Sequence, residues 1–391
     1  MNFKKTVTLG LIAAFALIFN HQSLGQDDWT PRKHITGYIN TIAEYSNQDN
    51  LNKNFGVGLS EVGLLVTYQP LPELELKATG VYSHYMFHVS QLLVEAYGMY
   101  SFSDGFKLGL GRFLTPLSPI NQYFYAPLNP SGVVPMLVSH HFLFPQSISG
   151  FQIAGEFELG SSSKFGYNAS IGSYAYINHF ESGILGIQAQ EDSYPTFGYY
   201  DTELDKINNY LCGTSRAYAN FNDVLTIGAN LFLADAQQFA QDEFEEYQYY
   251  PSTKYTYGFD AHLHINNLKV NAEYWGGQQK TNDEIPVPQP DGQIKYEYIK
   301  NDYVGYYAEI IYDRDVVKPF ARYDFIEDIN VNGIGLPTSA ATVGLAVRPR
   351  FETLLKLEYK RIFATEITDF ENQLSQDNDY DHIQLSFVLS F

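Results

Sequence analysis

Fixed charges recur within segments otherwise rich in Leu, Val, Tyr and Phe: Glu95, Lys107, Arg112, Arg216, Asp260, Arg322 and Asp324. Charges placed singly on one face of an apolar segment can set a field across an enclosed, water-filled space, or they can neutralise one another in local pairs. Arg112 facing Arg322 and Asp324 across such a space would give the first outcome; pairing along one wall would give the second. His262 and His264 are two residues apart, a spacing that grips a metal only if a third ligand arrives from a neighbouring segment. With no third ligand evident, they read as ordinary interior polarity. The adjacent His140 and His141 diverge if extended, which makes them polar groups of a loop. No His-Glu-x-x-His, Gly-x-Ser-x-Gly or phosphate-loop motif occurs. The expectation is a chain without catalysis, cofactor or metal.

The elements that must position these charges have a period of two. In Asp379–Phe391, Ile383, Leu385, Phe387, Leu389 and Phe391 alternate with His382, Gln384, Ser386 and Ser390, the pattern of a strand with one apolar face. Lys254–Ile265 repeats it: Tyr255, Tyr257, Phe259, Ala261, Leu263 and Ile265 on one face, Lys254, Asp260, His262 and His264 on the other. In Leu74–Ser83, Glu75, Lys77 and Thr79 oppose Leu74, Leu76, Ala78 and Tyr82; in Gln91–Phe102, Glu95 opposes Leu92, Val94, Ala96 and Tyr100. Sixteen such strands can be counted, joined by seven short turns, among them Ser103-Asp104-Gly105 and Asn222-Asp223, and eight longer loops. Those are the numbers of an all-β, antiparallel up-and-down barrel with both termini on one side. The longest proline-rich connection, Leu114–Ser149, is stiff enough to fold inward as a constriction or to pack outside.

Composition and targeting agree. Lys4 and Lys5 precede an apolar run, Val7–Phe19, and the small residues Ser23-Leu24-Gly25, the layout of a secretory signal peptide over residues 1–25. The barrel would occupy 26–391. Without the two signal lysines, 22 basic residues remain against 44 acidic ones, which disfavours nucleic acid as a partner. Thirty-two Tyr and 28 Phe suit rings lying half in lipid and half among headgroups. The single Cys212 cannot form an internal disulfide, so the fold must hold without one.

Two stretches carry a family likeness. Ser101–Pro116 (Ser-Phe-Ser-Asp-Gly-Phe-Lys-Leu-Gly-Leu-Gly-Arg-Phe-Leu-Thr-Pro) resembles the phosphate-selective porin-like family of sixteen-stranded barrels. Lys318–Phe325 (Lys-Pro-Phe-Ala-Arg-Tyr-Asp-Phe) is similar to a strand common in porins of Bacteroidetes type. The resemblance implies an outer-membrane, lipid-embedded pore for small hydrophilic solutes, narrowed by an inward loop. This chain departs from it in charge: its inward basic positions are matched almost one for one by acidic ones, which argues against dense positive potential along the path.

The expected function is therefore passive diffusion of small polar solutes and ions, with a slight cation preference from acidic loops such as Gln241–Tyr250. Glu95, Lys107, Arg112, His140, His141, Arg216, Asp260, Arg322 and Asp324 are the candidates for lining or constricting the pore. The alternative is a plugged barrel whose acidic, Tyr-rich loops bind a surface partner. Monomer and homotrimer remain open, because lipid-facing and subunit-facing strands alternate alike.

Overall fold

The computed structural model describes residues 30–47, 55–83, 92–122, 125–132, 134–139, 143–176, 208–241, 247–288, 293–329, 335–364 and 379–391. Residues 1–25, expected to be a signal peptide, His140, His141 and the acidic positions 242–246 lie outside them. The strands are β1 (Arg32–Ser46), β2 (Phe55–Leu71), β3 (Leu74–Ser83), β4 (Leu93–Ser103), β5 (Phe106–Leu114) and β6 (Ser147–Leu159). Then follow β7 (Ser163–Tyr176), β8 (Asn208–Phe221), β9 (Leu225–Gln241), β10 (Tyr247–Ile265) and β11 (Leu268–Thr281). A small separate hairpin, β12 (Ile285–Pro288) and β13 (Ile294–Glu297), precedes β14 (Lys300–Tyr312), β15 (Val317–Ile329), β16 (Gly335–Arg350), β17 (Thr353–Ala364) and β18 (Tyr380–Ser390). Omitting the hairpin, sixteen antiparallel strands pair in chain order, and β18 pairs with β1 to close the barrel.

Alternation decides what faces lipid. Along β18, Ile383, Leu385, Phe387 and Leu389 are exposed while Gln384, Ser386 and Val388 are buried. A lipid-embedded wall needs every backbone group bonded within it, and closure supplies that. At the seam, Gly37 and Phe391 exchange two backbone hydrogen bonds of 2.9 Å each. A Cβ on Gly37 would stand 2.6 Å from the Phe391 ring, so any larger residue there must displace that ring. Short turns, the start of β1 and the end of β18 share one rim, the periplasmic one in barrels of this kind. Between β8 and β9, Asn222 and Asp223 both take positive φ, 53° and 54°, as a two-residue hairpin turn demands.

The strict period fails within strands at two places: β1 and β2 slip between Asn40 and Thr41, leaving Ser60 as an extra residue in β2, and β3 and β4 slip in the same way. Thr79 pairs with Glu95 and Gly80 with Leu93, leaving Val94 as an extra residue in β4. This bulge turns Val94 inward beside Glu95, where it joins an interior apolar cluster with Tyr38, Val81, Tyr125 and Leu354. The expected outward placement of Val94 is thereby corrected; uniform alternation had no means of marking the slip.

Candidate functional site: the lumen and the loop within it

The connection between β5 and β6 folds into the barrel. It contains two short helical turns, α1 (Pro119–Gln122) and α2 (Met136–Ser139). Its neck is clasped at both ends: Thr115 Oγ1 donates to the Pro145 carbonyl at 2.6 Å, and its backbone N–H donates to Gln146 at 2.9 Å. The fully buried Asn121 amide bonds the carbonyls of Thr115 and Gln146, both at 3.0 Å. Between Arg112 and Glu156 the sequence has no Asp, Glu, Lys or Arg. The loop thus brings hydroxyls, backbone and apolar groups to a wall that supplies the charges.

Those wall charges are what hold it. On the β4 side, the Tyr125 hydroxyl donates to Glu95 Oε1 at 3.0 Å. Glu95 also takes Thr79 Oγ1 at 2.8 Å and pairs with Lys77 at 2.8 Å. On β10 and β11, Thr256 Oγ1 donates to the Leu143 carbonyl at 3.0 Å, and Ser118 donates to Glu273 at 2.8 Å. On β15, Asp324 accepts the Met136 N–H at 3.0 Å and the Arg322 Nε at 2.8 Å. On β17, Glu358 accepts Ser131 Oγ at 3.1 Å and the Gly132 N–H at 2.7 Å, while Lys356 donates to the Ser131 carbonyl at 2.8 Å. Arg348 of β16 reaches the Pro127 carbonyl. Anchors on six strands carry the loop across the lumen. Removing one partner of such a buried ionic contact leaves a bare charge, so each anchor resists loop withdrawal.

Apolar packing fills part of the interior. Leu117, Leu137, Leu143 and Phe144 of the loop pack against inward-facing Phe232, Trp275, Tyr303 and Ile326, with the Phe144 and Trp275 ring centroids 4.6 Å apart. Toward the short-turn rim the loop roofs a cavity of about 1150 Å³. Its lining includes Pro119, Ile120, Pro127 and Leu128 from the loop, with Lys107, Glu156, Arg216, His262, Asp313 and Lys318 from the wall. At its mouth, burial works to raise Asp313, but hydrogen bonds from Lys269 at 2.6 Å and Lys318 at 2.8 Å prevail and hold its carboxyl below the ordinary range.

Six of the seven charges singled out from sequence divide into three groups. Glu95, Arg322 and Asp324 face inward but are buried under the loop, which makes them its anchors. Arg216 and Asp260 also face inward and pair at 2.7 Å on the β8–β10 wall, where Asn230 adds a bond of 2.9 Å to the same carboxylate. This is local neutralisation, and so is the Arg322–Asp324 pair. Lys107 lines the cavity.

Arg112 is a correction. It pairs in register with Ala96 and Ser149, on the face of Leu110 and Phe151, which is the outer wall. Lys107 and Arg112 are five residues apart, so a regular strand cannot turn both inward. His262 faces inward as expected, its Nδ1 3.0 Å from Asn271 Oδ1, while His264, two residues on beside the turn, is exposed. Among the described residues no three His, Cys, Asp or Glu side chains converge as a metal site. Sequence reasoning missed Glu273, Lys356 and Glu358 as anchors. They were legible as inward positions, but their partners are a serine and glycine more than 200 residues away for β17 and a serine 155 residues away for β11.

No protein-family model matches this sequence, and no curated protein matches it. Solved structures do match in fold. Vibrio cholerae OmpT, folded in vitro and in a trimer form, aligns with a TM-score of 0.57 at 10% identity, covering 93% of this chain and 100% of that one. The anion-selective porin from Comamonas acidovorans gives 0.56 at 13% identity, with 93% and 100% covered. Salmonella typhi OmpF, in complex with daunomycin, gives 0.54 at 11% identity, with 92% and 97% covered. With its closed sixteen-strand wall and apolar outer face, this chain has the general fold of Gram-negative outer-membrane porins.

Proposed function

We propose that this barrel is an outer-membrane porin through which small hydrophilic solutes and ions diffuse passively, with the segment between β5 and β6 as its constriction. The observation that supports this most is the loop itself: it crosses the lumen on wall anchors and leaves a polar-walled cavity beneath it. The charged groups lining that cavity number six basic and five acidic. Such balance suits weak ion preference and gives a phosphate anion no dense positive path. The narrower likeness to the phosphate-selective porin-like family thus bears on general role and not on the solute. A homotrimer is part of the proposal, supported by the trimer form of OmpT and testable by crosslinking of the folded protein. Single-channel conductance across a planar bilayer under a salt gradient tests the whole: steady openings with a small reversal potential are expected.

One observation favours a second reading. Arg322, Asp324, Lys356 and Glu358 are at most 3% exposed, and the apolar cluster around Trp275 is buried, as in a plugged barrel that serves a surface partner. A folded but silent barrel would decide for that reading.

A further inference from the structure

The outer wall carries a basic pair that solute passage does not use. β11 and β14 pair without a register shift from Leu268 opposite Tyr312 to Lys280 opposite Lys300. Alternation puts Lys280 on the face of Tyr274 and Lys300 on the face of Tyr306, and both tyrosines are exposed on the lipid side. The two lysines are therefore direct cross-strand neighbours on one surface, an arrangement in which like charges repel.

Neither ammonium forms an ion pair among the described residues. Asp302, the next outward residue along β14, accepts a 2.7 Å bond from Gln278 Nε2. Lys295 and Glu297 pair with each other at 2.7 Å. The Lys280 ammonium stands 3.7 Å from the centroid of the Tyr298 ring, and Lys300 has no partner among the described residues.

Height identifies what meets them. From Tyr312 at the short-turn rim to Lys300 the strand climbs about 30 Å along the bilayer normal, at ~3.3 Å per residue and ~40° of tilt. The apolar band of such barrels is about 25 Å tall. Tyr255 and Tyr257, opposite Gln278 and Gly276 just below the pair, are exposed on the same face, as expected of an interfacial girdle. The ammonium groups stand just above that girdle, among the headgroups of the outer leaflet. With a net charge of −20 the protein as a whole repels anions, so a basic pair here acts locally.

We propose that Lys280 and Lys300, with the face of Tyr298, form a binding site for the phosphate group of an outer-leaflet glycolipid. The phosphate bridges the two ammonium groups and removes their repulsion, and the ring lies against the sugar that bears it.

The test uses the full chain, folded in non-ionic detergent, with native mass spectrometry as readout. The probes are diphosphorylated lipid A, the same lipid with both phosphates removed, and inorganic phosphate alone. Wild type should retain the diphosphorylated lipid, and K280Q/K300Q should bind it roughly tenfold to thirtyfold more weakly. K280R/K300R should bind as wild type does. Equal retention by wild type and the glutamine variant would overturn the proposal, as would equal binding of the dephosphorylated lipid. Inorganic phosphate binding as tightly as the lipid would overturn the lipid as its source. Heat-modifiable gel mobility confirms that each variant is folded, and no conductance enters the result.

Discussion

Arg322 Nη1 donates to Ser131 Oγ at 3.2 Å, joining residues 191 apart in sequence, while Arg322 Nε holds Asp324 at 2.8 Å. One buried guanidinium thus fastens the loop to the wall. Arg322→Met would leave Asp324 and Glu309 without their counter-charge, and breaking a buried pair from one side costs about 3–5 kcal/mol. The expected outcome is a lower unfolding midpoint in denaturant together with noisier, larger channel openings. Quiet openings of wild-type size would show that the loop is held by other contacts.

Gly132 sits where a Cβ would come within 2.7 Å of Gln384 Nε2 and 3.0 Å of Ser386 Oγ. Gly132→Leu must push the loop off β17 and β18, an overpacking that costs about 1–3 kcal/mol. Conductance should rise as the constriction lifts. Liposome swelling with sugars of increasing size measures this, and an unchanged size limit would count against the loop as the narrowest point.

Asp313 is the acid shared by Lys269 and Lys318 at the cavity mouth. Asp313→Asn leaves two bare cations there, so the reversal potential in a salt gradient should move toward chloride. Because its carboxyl is held below the usual range of about 4, the wild-type carboxylate stays charged as pH is lowered from neutral. Its contribution to selectivity should vanish only as pH falls through that depressed value. A titration of reversal potential that loses the contribution above pH ~4 would contradict the pairing.

Arg112 lies on the outer wall beside Leu110 and Phe151. Arg112→Leu is expected to leave unit conductance and ion preference unchanged, since the guanidinium does not face the lumen. A shift in reversal potential comparable to that of Asp313→Asn would place it inside.

Strand number and inward faces were legible because lipid on one side and a polar interior on the other impose a period of two on nearly every strand, whereas the proline-rich Leu114–Ser149 could be read equally as folding inward or packing outside. Asp260, Arg322 and Asp324 could be assigned to the interior from that period alone. What escaped were departures from the period and contacts between distant segments. The bulge at Val94 shifts one strand by a residue without a glycine or proline next to it in β4; the only glycine at the slip, Gly80, is on the partner strand. Arg112 follows two glycines in three residues, Gly109 and Gly111, which hide the parity of the strand from hydrophobicity. The anchoring of an uncharged loop by Glu273 and Glu358 rests on serine hydroxyls and backbone N–H groups, to which no residue pattern points.

The seam between β18 and β1 also fixes an order of events. Residues 38–46 find their partners on β18 only after all the intervening strands have been laid down, so every intermediate shorter than the sixteenth strand carries two open edges. Open edges recruit other chains. Closure is therefore the last pairing to form, and a chain cut before β18 keeps the edges of β1 and β17 open to association with other chains.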